Sequence, residues 1–202
     1  MMRIFLLTVA LIGLNGCVAK PKTYPSIAYL KLELPTSESL NIKPFELSIG
    51  VSLPTGSAAR SDKLIYQDTK GMRHNYAYHR WENFLGEQLQ EHFVLFFAKA
   101  NIVKDIARAD NQINPDWILE THILDFVQIM QDENSAYIRV LGRMRLADSR
   151  THEGISQKLF SYEIPLSGLG PKALNEAYDK VLKIWTKDSL DWLIKTGETY
   201  AR

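Results

Sequence analysis

Residues 117–148 read WILETHILDFVQIMQDENSAYIRVLGRMRLAD and contain the two longest strands that the sequence predicts. The stretches 117–131 and 136–148 are rich in β-branched and aromatic residues, and the polar residues 132–135 between them are typical of a hairpin turn. In the second stretch, apolar side chains alternate with polar ones. Such alternation indicates a strand with one covered face and one largely solvated face.

The two faces of the second strand differ in chemistry. One face carries Ala136, Ile138, Val140, Gly142, Met144 and Leu146, and the opposite face carries Tyr137, Arg139, Leu141, Arg143 and Arg145. Because guanidinium groups bind carboxylates and phosphates through paired hydrogen bonds, Arg139, Arg143 and Arg145 are candidate partner-binding residues. The alternative interpretation of these arginines is an ordinary solvated sheet face.

Outside this hairpin the sequence predicts further strands and two helices. Strands are expected at 27–34, 45–53 and 155–164, a second hairpin at 63–67 and 72–78, and helices at 80–100 and from Pro171 to about residue 195. The order of strands, helix, strands, helix predicts an α+β fold. We expect a mainly antiparallel sheet with two amphipathic helices packed on one face.

Both predicted helices carry an apolar stripe at three- and four-residue spacing, which is the pattern of a helix packed on a sheet. The first stripe comprises Trp81, Phe84, Leu85, Leu89, Phe93, Phe96 and Phe97. The second comprises Leu174, Ala177, Val181, Leu182, Trp185, Trp192 and Leu193, and it leaves Lys172, Lys180, Lys183 and Lys187 for solvent.

The N-terminus has the pattern of a secretory signal. It combines one positive charge at Arg3, an apolar run at residues 4–14 and small residues before Cys17. The run is too short to span a bilayer as a helix. Residues 14–17, Leu-Asn-Gly-Cys, resemble the lipobox of bacterial lipoproteins, so Cys17 is the expected lipidation site. The alternative is an ordinary signal peptide with an incidental cysteine.

These features divide the chain into a signal peptide at 1–16, a lipidated tether at 17–26 and a single periplasmic α+β domain at 27–202. The sole cysteine of the chain is Cys17, which excludes an intramolecular disulfide. Arg3 is the single charged residue in the signal, so removal of the signal leaves 23 basic and 23 acidic side chains. This balanced charge gives no reason to expect a nucleic-acid partner.

The sequence contains no recognised catalytic or metal-binding motif. The histidines, His74, His79, His92, His122 and His152, do not fall in a zinc-binding spacing. Asp116, Glu120 and Asp125 could be imagined as paired carboxylates, yet an uninterrupted strand would place Glu120 and Asp125 on opposite faces. We therefore expect no enzyme activity, no metal and no cofactor.

A set of packing residues carries a resemblance to a known family. They are Tyr29-Leu30, the strand at 49–54, Leu64-Ile65-Tyr66, Arg80-Trp81 with Leu85 and Leu89, and Asp116-Trp117-Ile118-Leu119 followed by Ile123 and Phe126. With these residues the chain resembles the ABC-type transport auxiliary lipoproteins, which include the PqiC-like proteins that work with MCE-domain lipid transporters. The resemblance covers nearly the whole mature chain.

The resemblance implies a non-enzymatic, lipid-anchored component of an envelope lipid-transport system. Its expected partners are MCE-domain or ABC transporter components, the membrane through the lipid anchor, and further copies of the chain in a homo-oligomer. Val18 follows the cysteine where enterobacterial lipoproteins retained in the inner membrane carry Asp, which favours the periplasmic face of the outer membrane. The alternatives are an assembly factor or chaperone of another outer-membrane machine, such as lipopolysaccharide export, and an envelope hydrolase.

Overall fold

A computed structural model describes residues 23–34, 39–40, 42–111 and 114–201. Within these residues, eight strands form one sheet and two helices pack against it. The strands are β1 (Ala28–Leu30), β2 (Phe45–Val51), β3 (Lys63–Gln67), β4 (Arg73–Trp81), β5 (Val103–Arg108), β6 (Trp117–Met130), β7 (Ala136–Asp148) and β8 (Gly154–Pro165). The helices are α1 (Leu85–Ala100), between β4 and β5, and α2 (Pro171–Tyr200), after β8.

Strand β6 is the centre of the sheet. On one side it pairs antiparallel with β7 along its whole length, and β7 pairs antiparallel with the edge strand β8. On the other side β6 pairs parallel with β2, then with Thr55 and finally with β3. Strand β5 lies beside β2, while β4 and then β1 continue outward from β3. The predicted hairpin therefore forms the middle of the domain.

The sheet is mixed, so the prediction of a mainly antiparallel sheet was wrong. Four of its seven strand pairs are parallel and three are antiparallel. The sequence interpretation missed β5, whose pairing with β2 is parallel. Parallel neighbours need a long crossover, and the chain makes this one through β3, β4 and α1. The α+β class, the two helices and their order along the chain agree with the structure.

The first helix begins later than the sequence predicts. Arg80 and Trp81 end strand β4, where Trp81 pairs with Leu30 of β1, and α1 starts at Leu85. Phe84, expected in the apolar stripe, is the residue before the helix and is 52% exposed. The stripe otherwise holds, because the remaining predicted apolar residues of α1 are buried. Trp81 is buried as part of the strand.

The core lies between the two helices and one face of the sheet, which we call the inner face. All seven predicted apolar residues of α2 are buried there. Trp185 sits on Gly142 of β7, where an added Cβ would lie 2.7 Å from the indole Cζ2. Phe93 of α1 meets Trp185 edge to face at 5.3 Å between ring centroids. Trp185 thus joins both helices to the sheet.

A second aromatic group packs beside this one. Tyr178 of α2 stacks on Phe126 of β6 with 4.7 Å between ring centroids, and Trp81 of β4 meets Tyr178 edge to face at 5.1 Å. Aromatic pairs in these geometries add to the hydrophobic stabilisation that follows from burial. The opposite face of the sheet, which we call the outward face, carries the predicted arginines.

Candidate partner-binding site

A β-bulge in β6 decides which side chains reach the outward face. The pairing register shifts between Ile123 and Asp125, so that Leu124 is the extra residue. A bulge of this kind reverses the alternation of side chains beyond it. Glu120 and Asp125 consequently lie on the same face, together with the arginines of β7. The sequence interpretation placed these two carboxylates on opposite faces, which was wrong because it assumed an uninterrupted strand.

Arg139 of β7 is held by acidic neighbours on both sides. Its Nε donates to Oε1 of Glu163 at 3.0 Å, and its Nη1 lies 4.0 Å from Oδ2 of Asp125. Its Nη2 also donates to the hydroxyl of Tyr137 at 2.7 Å. The hydrogen bond to Glu163 raises the pKa of the Arg139 guanidinium above its ordinary value. Arg139 is therefore committed to contacts within the domain.

Asp125 is buried beneath two cations. Its side chain is 9% exposed, and Nη2 of Arg73 lies 3.0 Å from its Oδ1. Buried carboxylates need such pairing, since an isolated charge loses its hydration on burial. Arg73 was not among the predicted site residues, and it joins the arginine set from β4. The bulge that turns Asp125 outward also creates this pair.

Arg145 is likewise neutralised inside the domain. Its Nη1 donates to Oε2 of Glu120 at 2.7 Å, and its Nη2 donates to the carbonyl of His152 at 2.8 Å. Glu120 lies directly across from Arg145 in the pairing of β6 with β7. The contact to His152 ties the turn between β7 and β8 to the same guanidinium. The second of the three predicted arginines thus has a structural role.

Arg143 differs from its two neighbours. It is exposed, and within the described residues its side chain makes no hydrogen bond or ion pair. It lies between His122 of β6 and Leu159 of β8 in the pairing register. Thr55 Oγ1 and His122 Nδ1 hydrogen bond to each other at 2.8 Å, so the imidazole beside Arg143 is fixed. Arg139 and Arg145 therefore have partners within the domain, whereas the Arg143 side chain has none among the described residues.

A groove of about 260 Å³ lies beside Arg143 on the outward face. Its walls are formed by Ser52, Leu53, Thr55, Glu120, Thr121, His122, Arg143 and Arg145. Leucines are exposed on this face: Leu53 is 51% exposed, Leu124 is 49% exposed and Leu159 is 59% exposed. A guanidinium with unused donors beside apolar surface can bind a carboxylate or phosphate flanked by an apolar group.

The remaining candidate polar residues have local structural roles. Asp116 accepts hydrogen bonds from the Ser48 amide at 2.7 Å and the Ser48 hydroxyl at 2.8 Å, which joins β6 to β2. His74 pairs with Asp68 at 2.9 Å across the turn of the second hairpin. Among the residues that the structure describes, no group of three or more histidine, cysteine or acidic side chains could hold a metal ion.

His92 does not line the groove and is buried on α1. It is 5% exposed, and its Nδ1 donates to the carbonyl of Glu33 at 3.0 Å. Burial lowers the pKa of the imidazole to about 4, which keeps the ring neutral at ordinary pH. His92 thus holds the segment after β1 against the helix.

The expected lipidation site and most of the tether fall outside the described residues. Signal residues 1–16, Cys17 and tether residues 18–22 belong to this part of the chain, and the structure describes the tether from residue 23. Neither of the two described helices is long and apolar enough to cross a membrane. The assignment of Cys17 therefore stays a prediction from the sequence.

The sequence predicts that the three arginines share a face, but it does not predict that only two of them are paired within the domain. The alternation of β7 placed Arg139, Arg143 and Arg145 together, and the structure does bring them onto one face. The alternation alone does not indicate that acidic residues on β6 and β8 neutralise Arg139 and Arg145. One signal was present, because Glu120 and Glu163 stand on the strands either side of β7. Converting that signal into pairs requires the register.

The comparisons with known proteins find similarity of fold. No protein-family model and no curated protein sequence matches this chain. A crystal structure of a Xanthomonas campestris protein described by the family model DUF330 is similar over 87% of this chain and 98% of that chain. Its TM-score is 0.74 and its sequence identity is 17%.

Two further solved structures show weaker likeness. An uncharacterized protein matches over 84% of this chain and 99% of that chain, with a TM-score of 0.65 and 11% identity. A lipoprotein from Neisseria meningitidis covers 74% of this chain and 99% of that chain at 12% identity, but its TM-score of 0.33 is too low to support an argument. The chain therefore shares the fold of the Xanthomonas campestris protein over nearly all of that protein's length.

Proposed function

We propose that this protein is a lipid-anchored auxiliary component of an ABC-type or MCE envelope lipid-transport system, acting through protein–protein contacts in the periplasm. The observation that carries the proposal is the outward face of the sheet, which the helices leave uncovered. There Arg143 stands unpaired within the described residues, beside a groove among exposed leucines. The lipobox-like N-terminus and the sequence resemblance to transport auxiliary lipoproteins support the same function.

The contact chemistry of the groove favours a protein partner with an acidic group beside apolar side chains. Arg139 and Arg145 already pair with Glu163 and Glu120, so Arg143 supplies the available donors. Interfaces are enriched in arginine, and the residues that contribute most of the binding energy lie in well-packed, desolvated pockets. On this proposal Arg143 meets the carboxylate, and Leu53 and Leu159 contact its apolar neighbours.

The partner is tested by cross-linking in intact envelopes followed by purification of this protein. We expect an MCE-domain or ABC transporter component to be recovered with the unmodified chain and to be lost with Arg143→Glu. Arg150→Glu is the matched control, because Arg150 is an exposed arginine in the turn after β7, outside the groove. Recovery that is equal with both variants would remove the groove from the proposal. Recovery of a lipopolysaccharide-export component instead would favour the assembly-factor alternative.

The anchor is tested separately with labelled palmitate. We expect the unmodified chain to incorporate the label and to fractionate with the outer membrane. Cys17→Ser removes the thiol that would form the thioether, so this variant should remain unlabelled and uncleaved. Equal labelling of both chains would show that the acyl group is attached elsewhere. Fractionation of the labelled chain with the inner membrane would overturn the assignment based on Val18.

A further inference from the structure

An exposed aromatic and apolar patch lies where the tether enters the domain. It consists of Tyr24, Ile27, Tyr29 and Tyr78, which are 73%, 46%, 64% and 37% exposed. We call these four residues the tether patch. Strand β1 pairs parallel with the end of β4, with Ala28 opposite His79, so Ile27 and Tyr78 stand at the same level. Tyr29 of β1 and Tyr78 of β4 therefore lie on neighbouring strands at one edge of the sheet, and Ile27 immediately precedes β1.

Basic side chains accompany the tether patch. Tyr29 is opposite Arg80 in the register, and Arg80 is opposite Lys63 of β3. The nearby Glu82 is paired with Lys31 at 3.0 Å, which offsets its charge. Tyrosines with lysines and arginines suit the headgroup region of a bilayer, where apolar ring surface is buried while the polar ends stay hydrated.

The segment that carries the tether patch is fixed to the domain. The Glu82 amide donates to the Leu30 carbonyl at 2.8 Å, and the Leu32 amide donates to Oε1 of Gln88 on α1 at 2.9 Å. The Glu33 amide adds a longer contact of 3.3 Å to Oδ1 of Asp179 on α2. These bonds connect the segment after β1 to both helices. Any surface that the tether patch contacts therefore sets the orientation of the whole domain.

The length of chain before the tether patch limits its distance from an anchor at Cys17. Tyr24 is the seventh residue after Cys17, and seven fully extended residues span at most about 25 Å. The tether patch is thus confined to a layer near the bilayer, with its aromatic side chains unburied in the domain. Arg143, by contrast, lies on β7, four strand spacings from β1 in the order β1-β4-β3-β6-β7, or about 19 Å across the sheet.

We propose that the tether patch rests in the phospholipid headgroup region of the membrane that holds the acylated Cys17, and that this contact fixes the orientation of the domain. The proposal rests on the anchor of the proposed function. The patch then acts as a second, weaker membrane attachment beside the acyl chains, with anionic headgroups attracted to Lys63 and Arg80. The groove beside Arg143 is carried away from this edge, where a periplasmic partner can reach it.

The test uses the full acylated protein reconstituted into vesicles of zwitterionic and anionic phospholipids, some carrying a headgroup-level spin-label quencher. The acylated Cys17 has no reactive thiol, so a fluorophore can be placed at Ser26→Cys, which lies in the exposed segment and leaves the patch intact. Leu159→Cys on β8, 59% exposed, is the distant control. We expect quenching at position 26 and none at position 159.

Substitution of the patch then separates contact from simple proximity. Tyr29→Ser with Tyr78→Ser should reduce quenching at position 26, whereas Tyr200→Ser should leave it unchanged, since Tyr200 is 57% exposed at the end of α2. Equal quenching in both variants, or quenching at position 159 that matches position 26, would overturn the contact while leaving the anchor intact. Failure of the acylated protein to float with the vesicles would overturn the anchor and this proposal together.

Discussion

The inner and outward faces belong to the same pair of strands, β6 and β7, but they differ in what their side chains contribute to stability. On the inner face, Trp185 and Tyr178 are fully buried against Gly142 and Phe126. On the outward face, ion pairs between partly exposed side chains surround Arg143. Buried aromatic surface contributes several kcal/mol per residue, whereas an exposed ion pair contributes about 0–1 kcal/mol. Apart from the buried Asp125 and its pairing arginines, stability therefore resides on the inner face, and the rest of the outward face can change with little effect on folding.

The largest expected effect is at Trp185. We expect Trp185→Ala to lower the free energy of unfolding by about 3–5 kcal/mol, because it removes a large buried side chain and leaves a cavity between both helices and β7. The measurement is denaturant unfolding followed by circular dichroism. The matched outward substitution is Leu159→Ala, which should change the unfolding free energy by less than about 0.5 kcal/mol. Similar losses for the two variants would contradict the division between the faces.

A pH-dependent effect of similar size is expected at His92, which is buried but neutral. Its folded-state pKa of about 4 lies below the ordinary value of 6.5. The unfolded chain therefore binds the proton more readily, and stability falls as the pH is lowered from 6.5 towards 4. The full difference corresponds to about 3 kcal/mol. Above pH 6.5 both states are neutral at this position, and the contribution no longer changes.

The measurement is the urea midpoint of the unmodified chain and of His92→Gln across this pH range. Glutamine retains a donor for the Glu33 carbonyl but does not titrate, so the variant should lose much of the pH dependence between about 6.5 and 4. Asp179 titrates in the opposite sense, since burial raises its pKa, and its contribution is common to both chains. Parallel pH profiles for the two chains would contradict the assignment.

Gly142 provides a smaller test of the inner face. We expect Gly142→Ala to lower the free energy of unfolding by about 1–3 kcal/mol, since the new methyl group would push the Trp185 ring out of its position. Gly154→Ala is the matched control on the neighbouring strand, where an added Cβ would lie 3.4 Å from a guanidinium atom of Arg145. Thermal unfolding of the two variants gives the comparison. A larger loss at Gly154 would show that packing on Trp185 tolerates the methyl group.

The two faces also differ in how far the sequence predicts them. The inner face follows from local periodicity, because the stripes of α1 and α2 and the alternation of β7 are properties of neighbouring residues. The outward face depends on the bulge at Leu124, which no local pattern announces. In the structure the segment after β2 runs against this part of β6, where Thr55 bridges to His122 and the Gly56 backbone approaches Ile123. Such a bulge is a tertiary feature.

The missed strand β5 has a similar cause. Its six residues, VKDIAR, are short and only partly apolar, so their intrinsic preference for a strand is weak. The strand forms because β2 offers an unpaired edge after α1 has returned the chain to the starting end of the sheet. The candidate site was predicted only in part, because its contacts also depend on strands that are distant in the sequence. The three arginines were visible as a periodic set, but the partners that neutralise Arg139 and Arg145 come from other strands.

The smallest effect on stability is expected at Arg143, and this small effect is what distinguishes it from Arg139. Arg139→Gln breaks the contacts to Glu163 and Tyr137 and weakens the charge balance around the buried Asp125, so it should cost about 0.5–1 kcal/mol. Arg143→Gln breaks no contact within the described residues and should stay within about 0.5 kcal/mol of the unmodified chain.

In cross-linked envelopes we expect the opposite order: Arg143→Gln should reduce recovery of the partner more than Arg139→Gln does. Loss of the partner with Arg143→Gln, without loss of stability, would identify a side chain kept for contact with another molecule. Arg139→Gln should retain the partner if its role is internal. A destabilised Arg143→Gln chain would instead mean that this guanidinium is satisfied within the fold, and the outward face would then lack the feature that separates it from a solvated sheet surface.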